Sequence, residues 1–414
     1  MIRSIVVILI LSLALDCDGQ SYEISLAGKW DLCLDSIRNS HDVDPELLDY
    51  NLAVSLPSTL DSVGIGIPVQ VQPNLKREVM LRLQRKVSYI GPAYYRKEVF
   101  IPRKWKGKNI SLKLERVIWE SIVWIDGEKI GNNYSLCTPH YYDLSKNLTP
   151  GKHAIIICID NSRKFVLSHG DMAHAYTEET QIKWNGILGE ISLKAVDQSH
   201  ISELAVYPDY AGKFLEGKVK SVLKDKDSYS LKVEVFDNSN KIIGSTLKTV
   251  TKDQTSFQVK FSEDIQPWDE FSPNLFKVNV SLLDRKNNIK SVRSELFGFR
   301  DLKAKDRHLS LNGKQLYLRG TLECSIFPLT GHPPLNQEGW RKVFSTAREY
   351  GLNHLRFHSW CPPEAAFDVA DKMGIYLQVE LPNWSLDFGA DKDLVNFINM
   401  EADNIIREYG NHPS

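Results

Sequence analysis

Two short apolar strands that each end in a polar cluster constrain this chain more than any other feature. They are Gly351-Leu-Asn-His-Leu-Arg-Phe-His-Ser-Trp-Cys-Pro-Pro-Glu364 and Gly374-Ile-Tyr-Leu-Gln-Val-Glu-Leu-Pro-Asn-Trp384. Arg, His, Trp and Glu gathered at strand C-termini stand where (β/α) barrels keep their chemistry. Helical spacing surrounds them. Trp340, Val343, Phe344, Ala347 and Tyr350 recur on one face before Gly351, a C′ residue. Pro362 and Pro363 open a second helix, which carries Ala366, Phe367, Ala370 and Met373 to a stop at Gly374. Leu394, Ile398, Ala402, Ile405 and Tyr409 make a third, ending at Gly410. With strands expected at 316–319, 353–357 and 375–381, three strand-helix units predict a parallel sheet. Eight such units close a barrel, so residues 300–414 read as the first three βα units of a (β/α)8 barrel.

The chain before Phe299 follows a different period. Tyr95-Arg-Lys-Glu-Val-Phe-Ile101, Ile110-Ser-Leu-Lys-Leu-Glu115, Ser121-Ile-Val-Trp-Ile125 and His153-Ala-Ile-Ile-Ile-Cys-Ile159 are short strands, punctuated by Asp126-Gly127 and Pro150-Gly151. Such spacing indicates an all-β sandwich over residues 20–198. Ser230-Leu-Lys-Val-Glu-Val-Phe236 and Phe276-Lys-Val-Asn-Val-Ser-Leu282 belong to a second β unit over 199–299, the size of an immunoglobulin-like sandwich. Each has its own strand pattern. Residues 21 to about 299 are therefore expected to fold without the strand-helix region.

Composition narrows the partners. The 414 residues carry 51 Lys and Arg against 52 Asp and Glu, a formal charge of −1, so nothing marks the chain for nucleic acid or an anionic membrane. Residues 5–15 are apolar apart from Ser12, follow Arg3 and precede Asp16-Cys-Asp-Gly-Gln20. That run is too short for a membrane span and fits a secretory signal peptide over 1–19, which implies a periplasmic or secreted protein. Cys17 leaves lipoprotein anchoring as an alternative, although Asp16 before it is a poor fit. Cys33, Cys137, Cys158, Cys324 and Cys361 then remain, without a C-x-x-C pair or a close His, so neither a metal nor another cofactor is expected. Phosphate loops, H-E-x-x-H and G-x-S-x-G elbows are absent from the sequence.

Several segments taken in order resemble glycoside hydrolase family 2, the β-galactosidase, β-glucuronidase and β-mannosidase family. They are Tyr95-Arg-Lys-Glu-Val-Phe-Ile-Pro102, Val123-Trp-Ile-Asp-Gly127, Pro139-His-Tyr-Tyr-Asp-Leu144, Trp184-Asn-Gly-Ile-Leu-Gly189 and Trp268-Asp-Glu-Phe-Ser-Pro-Asn-Leu-Phe276. Leu311-Asn-Gly-Lys314, Leu318-Arg-Gly320 and Gly410-Asn-His-Pro-Ser414 complete the series. The resemblance implies a jelly-roll-like sugar-binding domain, an immunoglobulin-like domain and a catalytic barrel acting on the terminal sugar of an oligo- or polysaccharide with retention. It also implies that the acid/base Glu and the nucleophile lie beyond Ser414, so the 414-residue piece alone is expected to be inactive. A non-catalytic carbohydrate-binding protein is the rival reading, and homo-oligomer formation stays open.

By the same resemblance, Arg356 matches the arginine of strand two, while His358 is shifted by register from the usual histidine. Glu380 matches the acidic residue ending strand three; Glu323 stands where relatives carry His. Trp360 and Trp384 are expected as stacking platforms for sugar, and Glu179 and Thr180 as contacts from a first-domain loop. For each of these the alternative is a structural role in packing or charge pairing.

Overall fold

The computed structural model describes residues 21–35, 43–70, 85–169, 176, 183–225, 228–261, 265–386 and 388–414. The expected signal peptide, Glu179 and Thr180 lie outside these. No described helix is long and apolar enough to cross a membrane.

The first unit packs two antiparallel sheets. One has six strands in the order Glu128–Asn133, Glu120–Ile125, Gly151–Asp160, Pro92–Ile101, Gly28–Leu34, Leu52–Leu56. The other runs Tyr22–Ser25, Gly186–Val196, Asn109–Arg116, His140–Asp143, with Ser58–Thr59 paired to Gly186–Val196. Strand Asn109–Arg116 alternates strictly between partly buried and buried residues, as a strand with one face on a core must. Leu112, Leu114, Val123, Ile155, Ile157 and Leu193 meet in that core. Strand Glu120–Ile125 is buried on both faces, because Ile122 and Trp124 join Tyr94, Ile156 and Cys158 in a second apolar cluster.

Two of the sequence motifs explain themselves locally. Asp126 and Gly127 both take positive φ, 48° and 83°, which a tight hairpin with right-handed strand twist requires. Asn185 joins the strand ends: its Nδ2 donates to Gly91 and Ile159 carbonyls at 3.0 Å each, and its Oδ1 accepts from Tyr95 Oη at 2.8 Å. Gly186 follows at φ +138°, where a Cβ would sit 2.2 Å from the Ser58 carbonyl oxygen. Only glycine fits there.

The second unit is a seven-stranded immunoglobulin-like sandwich. Strands His200–Asp209, Phe214–Val222 and Gln254–Lys260 form one sheet; Ile242–Val250, Tyr229–Phe236, Phe276–Leu283 and Ile289–Phe297 form the other. Leu215, Val219, Leu231, Val233, Val280 and Phe297 fill the space between them.

After a three-stranded meander, Leu302–Lys305, His308–Leu311 and Lys314–Leu316, the chain enters a parallel sheet of Gly320–Glu323, His354–Phe357 and Tyr376–Gln378. The first parallel strand thus starts later than expected. Residues 316–319 end the meander instead, with Tyr317 65% and Leu318 41% exposed, and the apolar run there reflects local alternation rather than burial. Helices Gln337–Glu349, Glu364–Met373 and Lys392–Tyr409 follow the three strands. Asn336 caps the first by accepting from Gly339 N–H at 2.8 Å, Gly374 ends the second in the left-handed region, and Asp391 caps the third through Asp393 and Leu394 N–H.

The expectation that the sandwiches are independent of this last segment meets a physical objection. Its apolar cluster is not its own: Trp340, Phe344, Phe357, Trp360, Phe367 and Phe397 pack with Ile118, Trp119, Leu136, Leu167 and Trp184 of the first sandwich. Phe165 stacks on Phe397 at 4.5 Å. Glu401, fully buried, crosses the same boundary to accept from Leu136 N–H at 3.1 Å, Cys137 N–H at 3.0 Å and Ser135 Oγ at 3.2 Å. Arg116 reaches the other way, donating to the Leu136 carbonyl at 2.9 Å and the Cys361 carbonyl at 3.4 Å. Glu401→Ala would orphan the buried Leu136 N–H, at a cost of about 1–3 kcal/mol, leave Cys137 N–H only Ser135 Oγ, and empty the space the side chain fills. The variant should lose roughly 2–4 kcal/mol in denaturant unfolding; a loss below about 0.5 kcal/mol would show that Glu401 does not hold the boundary.

Candidate functional site

Parallel register sets Leu322, Arg356 and Gln378 side by side, and the polar residues follow at the C-terminal ends of these strands. Glu380 is the hub. Its Oε1 accepts from Arg356 Nε in a short hydrogen bond, and its Oε2 accepts from Ser359 N–H at 2.9 Å and lies 3.4 Å from His358 Nδ1. Ser359 holds φ of +59°, which turns its N–H toward the carboxylate. Burial would raise the Glu380 carboxyl, but the Arg356 and Ser359 hydrogen bonds and the Arg356 charge outweigh it and hold the group below its ordinary value. Glu380 therefore stays ionised, and Arg356 remains about half exposed beside it.

Glu323 behaves in the opposite way. Burial pushes its carboxyl up to about 7, although Ser325 N–H donates to Oε2 at 3.0 Å. Its backbone carbonyl accepts from His358 N–H at 2.8 Å and from Trp360 Nε1 at 3.2 Å, which ties the first strand end to the second.

The two tryptophans part company. Trp360 is 3% exposed and sits edge-on to Phe357 at 5.2 Å within the shared apolar cluster, so it offers no ring face to a sugar; the sequence could not tell a loop aromatic from a core one. Trp384 is partly exposed and packs edge-to-face with His358 at 5.2 Å. Its backbone is fixed by the first sandwich, accepting from His169 N–H at 3.1 Å and donating to the Leu167 carbonyl at 2.7 Å. Sequence reasoning missed Ser359 and the 167–169 segment, since both act through backbone groups that leave no side-chain signature.

Elsewhere Glu364, Asp368 and His412 bring ligand atoms within 4.8 Å of one another. Burial would lower the His412 imidazolium, but hydrogen bonds to Asp371 and Glu364 more than offset it and push it up to about 10. Both ring nitrogens of His412 face carboxylates, Nδ1 that of Asp371 at 2.6 Å and Nε2 that of Glu364 at 3.4 Å. The cluster is an ion-pair network that anchors the last residues of the chain, with Ser414 N–H donating to Asp371 Oδ1 at 3.0 Å.

Residues 24–196 match the family model described as glycosyl hydrolases family 2, sugar binding domain, and residues 199–300 match that of glycosyl hydrolases family 2. A putative beta-glucuronidase of Formosa agariphila is 24% identical over 382 residues, 91% of this chain and 43% of the relative. A beta-galactosidase of Photobacterium profundum is 24% identical over 280 residues, 64% of this chain and 26% of the relative. The chain thus spans between a quarter and under half the length of these curated relatives. Among solved structures, the beta-glucuronidase of Bacteroides uniformis superposes with a TM-score of 0.75 at 19% identity, covering 95% of this chain and 46% of that one. The Ruminococcus gnavus beta-glucuronidase in complex with D-glucuronic acid gives 0.73 at 17%, covering 97% and 67%. At such identities the structural likeness speaks for fold.

The Glu323 carboxyl yields a pH test. Its folded pKa, about 7, lies above the ordinary 4.5, so the folded state binds the proton more tightly. The resulting stability is full below the ordinary value and is lost as pH rises through about 7, an effect on the order of 3 kcal/mol. Glu323→Gln should flatten unfolding free energy against pH across that window. A slope identical to that of the parent chain would mean that Glu323 ionises freely.

Proposed function

The chain belongs to glycosyl hydrolase family 2, and from that premise we propose that its three parallel strands form one wall of the pocket of a retaining, exo-acting glycosidase. The observation that carries this reading is the Glu380 hub, with Arg356, His358 and Ser359 converging on one ionised carboxylate at the strand ends. In this reading the strands begin a (β/α)8 barrel, and the first sandwich is a jelly-roll-like sugar-binding domain. Arg356 and His358 contact sugar hydroxyls, Trp384 presents a ring edge to the substrate, and Glu323, its carboxyl pushed up to about 7, is protonated in part near pH 7 and can then donate as well as accept. Export through the apolar run at 5–15 would bring the enzyme to extracellular or periplasmic glycans.

Double displacement needs two carboxylates roughly 5 Å apart across the scissile bond. By family resemblance these belong to segments following Ser414 in a longer protein. The Ser414 carbonyl accepts from Leu377 N–H at 2.9 Å, the pairing that a fourth parallel strand would use. The sugar is kept to the class of terminal β-glycosides. Arg356 is already neutralised by Glu380, which argues against it as the sole reader of a uronate charge.

Two measurements test this. The 414-residue chain alone should not turn over nitrophenyl β-glycosides, and turnover by purified chain would overturn the placement of the carboxylates. In the longer protein Arg356→Ala should lower kcat/KM roughly 10- to 100-fold, the loss of one charge-assisted hydrogen bond, while the exposed Lys314→Ala should change it little. Unchanged kcat/KM in folded Arg356→Ala would make Arg356 a structural residue.

A further inference from the structure

A cavity of about 390 Å³ opens between the hairpin of His200–Asp209 and Phe214–Val222 and the segment 300–303 that leaves the second sandwich. Tyr207, Tyr210, Phe214, Asp209, Arg300 and Asp301 line it. It lies at the other end of the parallel strands from Glu380. The Asp301 carbonyl accepts from Asn312 N–H at 2.9 Å, Asn312 Nδ2 donates to the Trp268 carbonyl at 3.1 Å, and Trp268 packs edge-on at 5.6 Å against Tyr376, the first residue of the third strand. We infer that this cavity is a second saccharide-binding site, taking a neutral sugar and separate from the cluster at the strand C-termini.

Size and lining agree with that ligand. The volume falls within the range of small-molecule sites, about 300–1,000 Å³. Tyr207, Tyr210 and Phe214 bring aromatic surface to the lining, against which the C–H face of a pyranose can pack; Tyr207 is 50% exposed, with Lys218 Nζ 5.5 Å from its ring centroid on one face. The polar groups complement hydroxyls. Arg300 is half-buried and makes no hydrogen bond or ion pair with the described residues; burial pulls its guanidinium below its ordinary value, and the Asp371 charge offsets part of this. The guanidinium's fork of donors suits adjacent hydroxyls. The acids supply acceptors: Asp209 uses Oδ1 for Gly212 N–H at 2.6 Å, and Asp301 uses Oδ2 for Lys303 Nζ at 2.6 Å. Asp209, Glu216 and Asp301 line the cavity against Arg300 and Lys303, so the acids outnumber the bases. That balance disfavours an anion and selects a neutral sugar over a uronate.

The test is calorimetric titration of the 414-residue chain with galactose, glucose and mannose, and with glucuronate as the acidic comparator. At least one neutral hexose should bind saturably in the millimolar range. Arg300→Gln and Tyr207→Ala should each weaken that binding about tenfold or more, while Lys248→Ala, exposed on the other sheet of the second sandwich, leaves it unchanged. Thermal midpoints establish that each variant is folded, and Tyr207→Ala carries the test alone if Arg300→Gln is not. The inference is overturned by a lack of saturation with every neutral hexose at about 100 mM. Tighter binding of glucuronate than of any hexose overturns it too, as does binding that survives Tyr207→Ala undiminished.

Discussion

The burial of Glu401 against the first sandwich is the contact on which the strand-helix segment depends. A three-stranded parallel sheet with one short helix after each strand has two open edges and too little surface of its own to bury. This one is held because Trp340, Phe344, Phe357 and Phe397 complete their packing on Trp119, Leu136 and Trp184. Apolar contact alone would allow the helices to slide. Glu401 fixes the register, since its two oxygens accept from the Leu136 and Cys137 backbone N–H groups of the sandwich, Cys137 N–H being shared with Ser135 Oγ. Arg116 makes the reciprocal link to the Cys361 carbonyl, just before the second helix.

This docking places the chemistry. Trp360 is locked in the shared cluster, so the loop that carries His358 and Ser359 cannot drift from the third strand's Glu380. Trp384 is brought to His358 by its bridge to the 167–169 segment of the sandwich. Two carboxyls near the strand ends then differ in protonation: Glu380 is held ionised by Arg356, whereas Glu323 is pushed toward neutrality by burial. Environments that separate like groups in pKa allow one to accept and the other to donate.

Much of this was legible in the sequence where local geometry decides. Asp126-Gly127 announces its hairpin, Gly374 its left-handed cap, and the alternation in Ile110 to Glu115 its half-buried strand. The pairing of Arg356 with Glu380 was readable as an alternative to sugar contact, because both end neighbouring strands. What local pattern could not reveal came from long range. Glu401 sits on the apolar face of its helix three residues after Ile398, a signal in hindsight, but the donors it serves lie more than 260 residues earlier. Residues 316–319 alternate like a strand yet leave Tyr317 and Leu318 largely in solvent, since alternation reports a face without saying what covers it. Trp360 failed as a platform for the same reason.

The first sandwich holds the strand-helix segment in place through this shared apolar cluster. Amide hydrogen exchange in Trp119→Ala tests it most directly, because Trp119 is 1% exposed and its ring lies 6.1 Å from that of Phe397. Amides of Glu364–Met373 and Lys392–Tyr409 should exchange at least about tenfold faster, while Phe276–Leu283 in the second sandwich keeps its protection. Unchanged protection of both helices in a folded variant would contradict it.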